Sequence, residues 1–102
     1  MKSTETELFM RIEGAFDVEA AMRVRDMVAR AVPGTSVWID VTDARECHDA
    51  AVAVLADAAA RRRSVTVGVR GLGPHQLRML RYLGVGGAGA IRTGAAGPMA
   101  KA

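Results

Sequence analysis

Between Leu8 and Leu83 the apolar residues form, in turn, a short strand-like run and the stripe spacing of a helix, three times over. Each strand is followed by room for one helix and little else. Successive strands must then lie parallel, joined by right-handed crossovers, and the expected class is α/β. At 102 residues the chain has no room for a second domain.

The first strand is read from Leu8 to Ile12, where Leu8, Met10 and Ile12 alternate with Arg11 and Glu13; it stops at Gly14. Asp17 is placed to cap a helix with Ala21, Val24, Val28 and Ala31 on one face and Glu19, Arg23, Asp26 and Arg30 on the other. Glu19 with Arg23 and Asp26 with Arg30 have the spacing and acid-first order of helix ion pairs. Pro33 and Gly34 end this helix. Ser36 to Val41 alternates little and suits a central strand covered on both faces. A polar connection follows, after which Asp49 can cap a second helix through Val52, Leu55 and Ala59. Arg61, Arg62 and Arg63 then lie at the negative end of its dipole. Ser64 to Val69 is a third strand. Pro74 suits the first turn of a third helix, with Leu77, Leu80 and Leu83 facing inward and Gly84 as its stop. Beyond it the only strand candidate is Ala90 to Thr93.

Half the residues are apolar and a quarter charged, so the chain can bury one core. The apolar run Ala50 to Ala60 is broken by Asp57 and falls short of the ~20 residues of a membrane span. Met1 to Glu7 lacks the pattern of a secretory signal, which makes the cytoplasm the expected location. A single cysteine, Cys47, excludes an internal disulfide and a cysteine-rich zinc cluster. The net charge of +3 comes from basic residues that are arginine except for Lys2 and Lys101. With four aromatics, none interleaved with these arginines, nucleic acid is not the expected partner.

Gly14-Ala15-Phe16-Asp17 closes a strand and opens a helix, and Trp38-Ile39-Asp40-Val41-Thr42 closes the next strand ahead of another helix. These segments, with Val65 to Val69 and then Leu77, Leu80 and Leu83-Gly84-Val85, resemble the STAS domain of anti-sigma-factor antagonists and sulfate-transporter tails. There the first strand ends in a G-x-L-D-like turn and the second in a D-L-S-like sequence. The likeness covers residues 8–93, leaving 1–7 as an N-terminal segment and 94–102 as a tail. It implies a single layer of mostly parallel strands with helices packed against it. The family's usual additional N-terminal strand would have only Lys2 to Glu7 to draw on, and its C-terminal helix only Gly94 to Ala102.

The resemblance further implies a bacterial, non-enzymatic signalling module acting in transcription regulation. It would dock through the start of the second helix and the preceding loop, with Asp43, Arg45, Glu46, His48, Asp49 and Ala50 as partner-binding residues. The family's D-S-S-G motif falls on His48-Asp49-Ala50-Ala51. Its phosphoacceptor matches Ala50, which has no hydroxyl, so docking would not be switched at that position. The implied partner is an anti-sigma kinase-like protein or, if the chain is an accessory subunit of a lipid transporter of the ABC type, the transporter's ATPase.

Asp49 could imitate a phosphate at the helix N-terminus or be a plain cap; the cap is the commoner use. Cys47, His48 and Asp49 are consecutive, so their side chains diverge, and His75 lies on another element. No active site, metal site or cofactor is expected from them. Cys47 is expected as a small buried apolar residue and the histidines as exposed or capping. Gly84-Val-Gly-Gly-Ala-Gly89 spells a dinucleotide fingerprint but follows a helix and has no acidic residue after it, so it reads as a connection. Arg61 to Arg63 with Arg70, Arg78 and Arg81 could form a basic face, though helix ends favour such cations anyway. Met10, Met22 and Met79 sit on apolar stripes as core filler.

Overall fold

The computed structural model describes residues 6–83 and 91–93. Its elements are β1 (Glu7–Arg11), β2 (Gly14–Phe16), α1 (Val18–Arg30), β3 (Ser36–Asp40), β4 (Ala44–Cys47), α2 (Asp49–Arg61), β5 (Thr66–Arg70), α3 (Pro74–Tyr82) and β6 (Ile91–Thr93). A four-stranded sheet has the order β1-β3-β5-β6, a two-stranded sheet joins β2 to β4, and every pair is parallel. The α/β class and the parallel neighbours at Val37 and Val67 are as the periodicity requires.

Register explains the core. Leu8, Val37, Val67 and Ile91 form one row across the sheet, and Met10, Ile39 and Val69 the next. Both rows join Val24 and Val28 of α1, Val52 and Leu55 of α2 and Leu80 of α3 in one cluster. Phe9, Trp38 and Gly68 form the alternate row on the opposite face. Among the described residues the helices pack on one face of β3, not on both as expected. Trp38 is half-buried because its ring lies across Gly68, where any Cβ would overlap it. Phe9 stays 49% exposed.

The helices follow their predicted faces with local departures. Ala20, Ala21, Val24 and Val28 of α1 are buried, and Met22 is not core filler but 39% exposed. Neither expected α1 ion pair closes; Asp26 lies instead 3.7 Å from Arg25. Exposed pairs contribute little against side-chain entropy, so water wins. The C-terminal end of α1 is closed from outside: the Arg62 guanidinium donates to the carbonyls of Val28, Ala29 and Ala31 at 3.2, 2.7 and 2.8 Å. Arg61 pairs with Asp57 at 2.8 Å. Of the arginine run, one thus holds two helices together and one serves its own helix. In α3, Leu80 is buried and Leu77 half-buried, but Leu83 is the C-cap, 48% exposed and off the inward stripe. Gly84, the Gly84 to Gly89 run and the 94–102 tail lie outside the described residues.

Candidate functional site

The segment read as a polar connection is in fact a strand. Gly14 faces Ala44, Ala15 faces Glu46 and Phe16 faces Cys47, with a shift of register after the first pair. Phe16 is fully buried, and its carbonyl accepts the His48 amide at 3.0 Å. This ladder starts α1 and α2 side by side. It also turns Arg45 and Glu46 to solvent while Ala44 and Cys47 stay half-buried.

The turn between β3 and β4 is held from below. The Asp40 carboxylate accepts the Thr42 amide at 2.9 Å, and the Val41 amide donates to the Arg70 carbonyl at 2.8 Å. Gly71, at φ +97°, packs on Thr42 so closely that a Cβ would meet the Thr42 nitrogen at 2.5 Å, and only glycine fits. Burial pushes the Asp40 carboxyl up. Hydrogen bonds from the Thr42 side chain and backbone, with the charges of Arg70 and Arg11, outweigh it and hold the group below its ordinary value of 3.8. Arg11 also reaches Asp43 at 2.8 Å, tethering the loop to β1.

Asp49 is not the N-cap of α2. That position belongs to His48, whose side chain makes no capping bond and whose Nε2 lies 2.9 Å from Glu46 Oε1. Asp49 is the first helical residue, with Oδ2 2.9 Å from Nε2 of His75 at the start of α3. The dipole favours a carboxylate there in either role, but pairing with His75 draws it away from the free amides. Ala50 is exposed in this first turn and Ala51 buried. Gln76 Nε2 reaches the Cys47 carbonyl at 3.5 Å.

All six expected docking residues, Asp43, Arg45, Glu46, His48, Asp49 and Ala50, are exposed, and the structure brings to them from α3 two residues that the sequence reading missed, His75 beside Asp49 and the half-buried Gln76 beside the Cys47 carbonyl. The signal for them was topological. In a parallel sheet all strands deliver their following helices at the same end, so the starts of α2 and α3 must be neighbours. Chemically the surface pairs imidazoles with carboxylates and leaves neither imidazole hydrogen-bonded to Cys47. The Cys47 thiol is pushed up from 9.0, first by burial and then by the Asp49 charge, which opposes a thiolate nucleophile. Among the described residues no three His, Cys, Asp or Glu side chains converge on a metal position.

A family model described as "Mlab, STAS domain" matches residues 1–93. The chain belongs to the STAS domain family. Neither the curated proteins nor the solved structures yield a match. Domains of this family are in general non-enzymatic protein–protein interaction modules. No helix among the described residues of this STAS domain is long and apolar enough to cross a membrane.

Proposed function

We propose that this STAS domain docks a protein partner through the surface formed by β4 and the first turn of α2, with Asp43, Arg45, Glu46, His48, Asp49 and Ala50 in contact, and that phosphorylation at the family's usual position, here Ala50, does not switch the docking. One observation carries the proposal. The start of α2 is exposed, lacks a side-chain cap and presents Ala50 at the position matching the family's acceptor. Residues 43–51 contain no serine, threonine or tyrosine, so nothing there can take a phosphate as an ester. Asp49 places a carboxylate at the spot, 2.9 Å from His75 Nε2.

The test is affinity capture from the source cells with wild-type chain and with an Arg45→Glu, Asp49→Arg variant whose fold is verified by circular dichroism. A partner captured by the first and lost by the second supports docking; equal capture by both overturns it. The captured protein decides between an anti-sigma kinase-like partner and a transporter ATPase. Mass spectrometry of the wild-type chain should find residues 43–51 unmodified, and phosphate on any of them would sink the unswitched reading. Ala50→Ser restores an acceptor. If it is phosphorylated, about −1.5 to −2 charges beside Asp49 should weaken the complex.

A further inference from the structure

The four-stranded sheet ends on one side in β1, whose partner among the described residues is β3 alone. The Ser36 amide donates to the Thr6 carbonyl, and the Ile12 amide to the Asp40 carbonyl, each at 2.9 Å. In a parallel ladder both backbone groups of one residue face the same neighbour and those of the next face away. Thr6, Leu8, Met10 and Ile12 therefore bond to β3, and Glu7, Phe9 and Arg11 turn their N–H and C=O groups to the side on which no described strand lies. The register from Glu7 to Arg11 runs without a shift, and the segment holds no proline. Neither of these common blocks to edge pairing is in place. A cleft of about 330 Å³ between Leu8 and the Arg23, Met27 and Arg30 side of α1 runs beside the strand.

The order of residues along this edge selects its occupant. Glu7 and Arg11 carry opposite charge and stand equally far from Phe9. A second strand of the same sequence, paired antiparallel about a two-fold axis through Phe9, sets Glu7 of each copy opposite Arg11 of the other and Phe9 opposite Phe9. Each of these facing pairs can exchange both N–H···O bonds, because the outward groups are those of the same three residues. Opposite charges and two aromatics facing across strands are favourable, whereas parallel pairing in register would set like charges together. The Arg11 guanidinium, which holds Asp43 at 2.8 Å, has further donors for the incoming carboxylate. We infer that β1 is a self-association edge through which two copies of this chain form one continuous sheet.

On the face turned away from the helices the half-exposed Phe9 pair extends the row begun by Trp38. The strands of the two copies run oppositely, so their α2 N-termini point to opposite ends of the dimer. That geometry holds whether or not those termini dock a partner.

Sedimentation equilibrium of the full chain over a concentration series should give twice the 10.8 kDa chain mass. Phe9→Pro removes an outward N–H that β3 does not use and should return the mass to one chain. Where that variant fails to fold, the charge variants decide. Glu7→Arg alone and Arg11→Glu alone should each be monomeric where wild type is dimeric, and mixing the two variant chains should restore a heterodimer. A wild-type chain that stays monomeric at every concentration, or binds only an unrelated extended peptide at this edge, overturns the inference. So does a dimer indifferent to all three substitutions.

Discussion

The two strand-to-helix junctions that β2 and β4 bring side by side share one backbone plan and are finished differently. At α1 the Asp17 carboxylate accepts the Ala20 amide at 2.9 Å, directly after the fully buried Phe16. At α2 the capping position holds His48, turned to Glu46, and the nearest carboxylate, Asp49, is engaged by His75. The far end of α1 is closed as well, by Arg62. One helix has its polar ends satisfied from within the protein, as stability demands. The other starts with no side-chain cap among the described residues: its Ala51 and Val52 amides turn back to the His48 carbonyl at 3.0 and 3.2 Å. The difference singles out the α2 junction for the proposed docking more sharply than residue chemistry does, since both junctions carry an aspartate within one residue of the helix start.

The largest test addresses the closed junction. Phe16→Ala should cost ~3–5 kcal/mol of unfolding free energy in chemical denaturation, by opening a cavity where β2 meets the core. A loss below ~1 kcal/mol would mean that this junction is no better anchored than its neighbour. Next comes the contrast of caps. Asp17→Ala should cost ~1 kcal/mol, while His48→Ala should stay within ~0.5 kcal/mol, because its side chain caps nothing. Equal losses at the two positions would erase the comparison.

A third test uses pH. Asp40 supports the turn leading to the open junction, and its folded pKa lies below the unfolded one. Its stabilisation is therefore complete above the ordinary carboxylate value and is lost as pH falls through the folded value. Asp40→Asn should flatten the acid limb of a stability-versus-pH curve, and an unchanged limb would remove Asp40 from that role. The smallest effect is at Cys47, just before the open junction. With its thiol pushed up by burial and by Asp49, alkylation by iodoacetamide should rise at higher pH than for a free cysteine. Asp49→Ala should move that rise part of the way back, and no movement would show that the charge does not reach the sulfur.

Much of the fold was legible because long, periodic segments declare themselves. The α1 stripe, its Asp17 cap and the Val37 and Val67 strands are local patterns, and local energetics enforce them. β2 and β4 were not legible: three- and four-residue strands containing Arg45 and Glu46 show no alternation and exist because each is the other's ladder. Leu83 and Met22 fit apolar stripes yet stand exposed, because a stripe gives the direction of a side chain and not what lies opposite it. Similarly, the six residues proposed for docking lie close together in the sequence, but His75 reaches Asp49 from 26 positions away.

The sequence by itself determined the class, the order of the main elements and the missing hydroxyl at Ala50, since periodicity, turn chemistry and residue identity are properties of short stretches. Only the tertiary structure decided that Asp49 faces His75 instead of capping its helix, that Arg62 closes α1, and that the helices join one face of the sheet. Those contacts unite residues far apart in the chain, and which of several partners a side chain takes depends on distances that packing alone sets.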